Sequence, residues 1–233
     1  MIEYIVPSNI DDRVLRRTAK MLEDGALVAL PTDTSWSIVC SLKSPAGIKK
    51  LRALSGERDE RHFTLLCSDI SQIVEVCSVD NTRFRIIKRL VPGPYVFILN
   101  TLLGTEKILV SSTKSNAGGR RREAGVRIPD YPVPIRLIKT LNHPLYSITA
   151  KKSMAAGGWE EPPLRESLRE HDTELPPIPE EELFESGWEL EEIEGLDLIL
   201  DGGDERERIF STIMDMTTDD IKLLRKGAGH WPI

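Results

Sequence analysis

Cysteine is scarce in this chain, with three residues in 233. Cys40, Cys67 and Cys77 form no Cys-x-x-Cys pair and are odd in number, so neither a zinc knuckle nor a disulfide framework is expected. Each sits among apolar neighbours, the setting of a structural thiol. The four histidines, His62, His143, His171 and His230, lack ligand spacing, which argues against a histidine-based metal centre. No apolar run approaches the roughly 20 residues of a membrane-spanning helix. The start, Met1-Ile2-Glu3-Tyr4-Ile5-Val6, lacks the basic residues and long apolar stretch of a signal peptide, so a cytoplasmic protein without membrane association is expected.

What is present describes an ordinary globular chain: 40% hydrophobic and 29% charged residues, at a length that can bury a substantial core. The net charge of −6 is unevenly placed. Between Glu160 and Glu194 stand 14 acidic residues against Arg165 and Arg169, a local charge of −12 that leaves +6 for the rest. A mildly basic body with an acidic segment attached can meet an anionic partner such as RNA or a nucleotide phosphate. Prolines at 162, 163, 176, 177 and 179 fall in the same stretch. The sequence reads as one domain over 1–233, with an acidic, proline-rich insertion at 157–195. The segment after it is too short for a core of its own.

Periodicity predicts a mixed α/β chain. Strands are expected over 2–6, 26–30, 37–42, 63–67, 95–99, 124–128, 145–149, 196–200, 212–216 and 221–224. Helices are expected at 11–22 behind Asp11-Asp12, at 44–54 behind Ser44-Pro45, at 69–76, at 81–90, and to about 141 behind Asp130-Tyr131-Pro132. A short helix is expected near 180–185. Strands outnumber helices without even interleaving, which argues for a twisted, mostly mixed sheet with helices packed on it.

The most telling local feature is the join between Ala26-Leu27-Val28-Ala29-Leu30 and Pro31-Thr32-Asp33-Thr34. Proline ends the ladder of a buried strand, and hydroxyls with a carboxylate follow where an α/β sheet opens to ligands. Arg120-Arg121-Arg122, preceded by Lys114 and Gly118-Gly119, forms a basic loop suited to RNA phosphate or to a solvated tip.

Seven ordered blocks resemble the YrdC/YciO family: Pro31-Thr32-Asp33-Thr34-Ser35-Trp36, His62-Phe63-Thr64-Leu65-Leu66, Pro92-Gly93-Pro94-Tyr95-Val96-Phe97, Gly125-Val126-Arg127-Ile128-Pro129, Leu198-Ile199-Leu200-Asp201-Gly202-Gly203, Phe210-Ser211-Thr212-Ile213 and Leu224-Arg225-Lys226-Gly227-Ala228-Gly229. The family contains the threonylcarbamoyl-AMP synthases of tRNA modification. The resemblance implies a twisted α/β fold with a large, basic, concave cavity that binds ATP or threonylcarbamoyl-AMP and, in some members, structured RNA or tRNA. Synthesis would join L-threonine, bicarbonate and ATP, with magnesium entering on the nucleotide phosphates. The same resemblance implies Thr32, Thr34, Arg127 and Thr149 on the threonine side. It implies Ser211 and Arg225 on the nucleotide side; Arg58 and Lys151 are nucleotide-side candidates by position and charge, and Arg120, Arg121 and Arg122 are candidates for RNA by residue type.

The departures from the synthase pattern are equally specific. Where synthases carry Lys-x-Arg, this chain has Ser55 and Glu57, with Arg58 one position late. Where they carry Ser-Ala-Asn, it has Thr149-Ala150-Lys151, so an amide is exchanged for a cation that cannot accept a hydrogen bond. Lys151-Lys152 offers a replacement for the missing phosphate-side charge. These changes place the chain nearer the YciO-like branch, in which binding of nucleotide or RNA without ligation is the alternative to synthesis.

Overall fold

The computed structural model describes residues 1–55, 63–102, 123–155 and 179–231. Their strands form one ten-stranded sheet in the order β1-β8-β2-β3-β7-β4-β6-β5-β9-β10. In chain order these strands are Ile2–Tyr4, Val28–Leu30, Ser37–Ser41, Thr64–Leu66, Tyr95–Asn100, Glu123–Arg127, Leu145–Thr149, Leu198–Asp201, Thr212–Asp215 and Lys222–Arg225. Neighbours β1/β8, β2/β8, β4/β6 and β5/β9 are parallel, and the remaining pairs are antiparallel. The fold is thus the mixed α/β sheet expected from periodicity.

Helix α1, Asp12–Glu23, starts where the Asp11 carboxylate accepts the Arg13 amide at 2.7 Å, and it buries Leu15, Thr18, Ala19 and Leu22 along one stripe. Helix α2, Pro45–Ser55, starts on the Ser44 hydroxyl, which accepts the Gly47 amide at 3.3 Å. Asp69 and Asp80 cap α3, Ile70–Val76, and α4, Asn81–Leu90, in the same way. Helix α5, Pro132–Leu141, differs from expectation: Tyr131 is its N-cap and makes no side-chain capping bond, so Pro132 alone marks the start. It ends on Asn142 at φ 55°, a left-handed residue that stops the helix.

Side chains alternate across the sheet, so each strand feeds two cores. On one face Ile38, Cys40, Leu65, Phe97, Val126, Tyr146 and Ile148 join a large cluster that also holds Trp36 and Phe184. On the other, Val28, Leu30, Val39, Leu66, Leu145 and Leu198 pack beneath α1 and α5 through Leu15, Leu22, Val133 and Leu137.

The acidic stretch divides. Residues 156–178 lie outside the described set, but from Pro179 the chain is part of the fold. A 3-10 turn occupies Glu180–Glu182, as expected near 180, and a second spans Gly187–Glu192. Leu183, Phe184, Leu190 and Ile193 are buried in the main core. The run of glutamates hides an apolar set that composition alone assigns to an appended insertion. Most of the acids occupy exposed positions between the buried ones, and Glu182 and Glu189 are half-buried.

Candidate functional site

Register sorts the residues on the second face beyond the helices. Ser37 pairs with Thr149, Thr64 with both Ser147 and Gly125, and Leu66 with Arg127. Cross-strand partners share a face, so Ser37, Ser147, Thr149, Thr64, Gly125 and Arg127 all lie on the side of Leu66 and Leu145. This part of the face is small and hydroxyl-rich, whereas the part under α1 and α5 is aliphatic.

The 31–36 loop meets this face through Arg127. Its Nη1 donates to Thr34 Oγ1 at 3.0 Å and its Nη2 to Asp33 Oδ1 at 2.6 Å. Strands β2 and β6 are four steps apart, roughly 19 Å on a flat sheet at about 4.8 Å per step. They run in opposite senses, so their C-terminal ends stand at diagonally opposite corners. In a twisted sheet such corners curl toward the same face, which brings loop and arginine together. Both charged side chains are nearly enclosed, Arg127 at 6% and Asp33 at 12% exposure. Burial pushes the Arg127 pKa down, and the Asp33 carboxylate opposes that shift.

Within the loop, the Thr32 hydroxyl donates to the Ser35 carbonyl at 2.7 Å and accepts the Thr34 amide at 3.2 Å. Its single proton is spent inside the turn, so Thr32 shapes the loop. With that proton committed, Thr34 is the donor in the 3.2 Å bond between the two hydroxyls, and it accepts from Arg127. Three solvent-shielded polar atoms here have no hydrogen-bond partner among the described residues: Arg127 Nε, Asp33 Oδ2 and Arg206 Nε. Arg127 Nε and Asp33 Oδ2 belong to the same buried ion pair, so a donor and an acceptor remain open to a further partner at the loop–arginine contact.

A second cation stands on the β10 side. Arg225 Nε donates to the Ser211 carbonyl at 3.1 Å, and its guanidinium lies 5.0 Å from the centre of the Phe210 ring. Burial, with Arg127 as a repelling neighbour, pulls its pKa down to about 10, so it remains charged at neutral pH. Ser211 thus serves Arg225 through its backbone. Thr212 fastens the C-terminal loop, its hydroxyl donating to the Gly229 carbonyl at 2.6 Å and accepting the Gly227 amide at 3.1 Å. A Cβ on Gly227 would lie 2.3 Å from the Phe210 carbonyl, so only glycine fits there.

The other expected residues are placed unevenly. Thr149 closes β7 on the polar face, and Lys151 follows as a buried residue, 7% exposed. Lys152 is committed elsewhere: Nζ pairs with Glu189 Oε1 at 3.3 Å and sits over Phe184. Ser55 ends α2 with its hydroxyl donating to the Arg52 carbonyl at 2.9 Å. Arg58, Arg120, Arg121 and Arg122 lie outside the described residues. Arg206 and Glu185 belong to the constellation but are not singled out from sequence, and Asp33 stands out only as the carboxylate of its loop. Arg206 and Glu185 sit in charged runs that read as solvated surface, and no local signal marks them.

The sheet has counterparts among known proteins. Residues 20–168 match the Sua5/YciO/YrdC family model, described as telomere recombination. The chain belongs to the Sua5/YciO/YrdC family. Escherichia coli YciO is 26% identical over 231 residues, covering 97% of this chain and 95% of that one. A mouse threonylcarbamoyl-AMP synthase is 28% identical over 142 residues, 61% of this chain and 48% of the synthase. The crystal structure of E. coli YciO superimposes with a TM-score of 0.75 at 22% identity, over 99% of this chain and 97% of that one. A Pyrococcus abyssi Sua5 structure complexed with L-threonine gives a TM-score of 0.71 at 20% identity, over 97% of this chain and 57% of Sua5. Family and fold are therefore fixed at this level. Among the described residues no helix is long and apolar enough to cross a membrane.

Proposed function

We propose that the protein binds L-threonine and an adenine nucleotide over the polar face and joins them, with bicarbonate, to threonylcarbamoyl-AMP, releasing pyrophosphate. The observation that carries the reading is the set of unpaired buried atoms around Asp33. The free Arg127 donor calls for a carboxylate, and Asp33 Oδ2 calls for a donor such as an ammonium or hydroxyl group. A small zwitterion carries both kinds of group. The threonine named with P. abyssi Sua5 is such a molecule.

On this reading Arg127 and Thr34 orient the amino acid and Thr149 lines the sheet beneath it. Arg225 faces the nucleotide, with Ser211 and Lys151 beside it. Magnesium would enter with the ATP phosphates. Among the described residues no cluster of three or more His, Cys, Asp or Glu side chains could hold a metal ion by itself. The pyrophosphate that leaves in such a ligation develops charge that cations stabilise by a few kcal/mol each.

A second reading, binding without ligation, draws on two observations. Ser55 caps the end of α2 where the synthase pattern has lysine, and Lys152 is held by Glu189. Both leave the triphosphate side with less charge. Incubation with L-threonine, bicarbonate and magnesium ATP separates the readings through pyrophosphate release. Threonine-dependent release supports ligation. Calorimetric binding of ATP without release supports the second reading, absence of threonine binding overturns the first, and absence of both ATP and RNA binding overturns the second.

A further inference from the structure

Arg206 lies between β8 and β9 in the run Glu205-Arg206-Glu207-Arg208, a pattern that looks like solvated charge. In the fold it makes three separate attachments. Its amide donates to the Glu185 carbonyl at 2.8 Å, its Nη2 donates to the Thr32 carbonyl at 2.9 Å, and its guanidinium carbon stands 4.6 Å from the centre of the Tyr131 ring. The Glu185 carbonyl also accepts Trp36 Nε1 at 3.3 Å. Both ends of the 32–36 loop are therefore tied to one peptide group, Trp36 directly and Thr32 through Arg206.

That peptide group is itself held firmly. Phe184 and Leu190 are buried on either side of it, and Glu189 Oε2 accepts the amides of Glu185 at 2.9 Å and Ser186 at 3.1 Å. The acidic segment thus works as a strut. Its acidic side chains cap its own turn at Glu189 or reach neighbouring segments, Glu182 accepting the Ser153 amide and Glu189 and Glu185 pairing with Lys152 and Arg208, and its backbone carries the loop.

We infer that Arg206 is a positioning residue for the threonine side of the site. Arg127 grips the loop at Asp33 and Thr34, and Arg206 grips it at the carbonyl of Thr32. Two grips on neighbouring residues fix the rotation of the loop between them. This decides where the Thr34 hydroxyl and the free oxygen of Asp33 point. With Arg206 removed, the hydrogen bonds left at Thr32 among the described residues are those of its own hydroxyl inside the turn. The stack on Tyr131 keeps the guanidinium plane in place, and Tyr131 is set in turn by the start of α5.

The ligand readout of this inference rests on the proposed function, so the test also contains a readout free of ligand. Amide hydrogen exchange and calorimetry are measured on the full chain for wild type, Arg206→Gln and Arg206→Lys. In Arg206→Gln the Thr34 and Ser35 amides lose about tenfold in protection while those of β5 and β9 keep theirs. Threonine affinity falls about tenfold, with ATP affinity unchanged. Arg206→Lys, whose ammonium still reaches the Thr32 carbonyl, recovers most of both. The inference is overturned if exchange and threonine affinity are unaltered, or if β5 and β9 lose protection equally. If Arg206→Gln does not fold, the lysine variant is decisive, because loop protection and threonine affinity well below wild type there would also overturn it. Should wild type fail to bind threonine, the proposed function falls while the exchange pattern still judges Arg206.

Discussion

Arg127 and Asp33 meet at 2.6 Å although their strands stand four positions apart in the sheet. The pair joins two corners of the twisted sheet, and each partner is what makes burial of the other tolerable. Taking two ions out of water costs several kcal/mol apiece, which only close geometry offsets.

Removing one partner alone is therefore costly. Asp33→Asn leaves an enclosed guanidinium without its counter-ion and is expected to lose about 3–5 kcal/mol in urea unfolding. Asp33→Asn combined with Arg127→Met should regain most of that loss, while threonine binding stays absent. A double variant no more stable than Asp33→Asn would mean that the pair contributes nothing as a unit.

Acid stability should depend on His143. It is buried, its Nδ1 lies 2.9 Å from the Pro144 carbonyl, its Nε2 lies 3.4 Å from the Ser41 hydroxyl, and burial lowers its pKa below the ordinary 6.5. The unfolded chain then takes up a proton first. Stability from this group is complete above about pH 6.5 and declines as pH falls below that value. A His143→Gln variant should show a flatter profile between pH 7 and pH 5 in thermal melts.

The three thiols should be silent in the native protein. All are buried; burial pushes Cys40 and Cys77 up to about 12 and Cys67 higher still. Since the thiolate is the reactive form, a chromogenic disulfide at pH 8 should label none of them within minutes and all three in denaturant. Rapid labelling of any one without denaturant would contradict its burial.

The acidic strut can be tested by contrast. Phe184, 1% exposed, fills the main core, so Phe184→Ala should cost about 3–5 kcal/mol. Trp188, four residues on and 62% exposed, should cost under about 0.5 kcal/mol when changed to alanine. Equal melting temperatures for the two variants would return this stretch to the status of an appended loop.

Much of the fold was legible because its signals are local. Asp11, Ser44, Asp69 and Asp80 cap helices where a short polar residue precedes an amphipathic stripe, and the strands follow their apolar runs to within a few residues. The site was legible only in part. The 32–34 loop and Arg127 stood out by residue type, but the turn-forming role of the Thr32 hydroxyl did not. Leu183, Phe184, Leu190 and Ile193 were masked by their acidic neighbours, since a short irregular segment shows no period of 2 or 3.6 to expose them.

The sequence by itself determined which segments are strands and helices, because caps, prolines and apolar periods act over a few residues. Only the tertiary structure decided what Arg127 and Arg206 hold. Their partners, Asp33 and Thr32, are 94 and 174 residues away, and no local rule connects them. The connection comes from sheet twist, which folds distant corners over one face, and from a buried strut whose apolar anchors outweigh its charge.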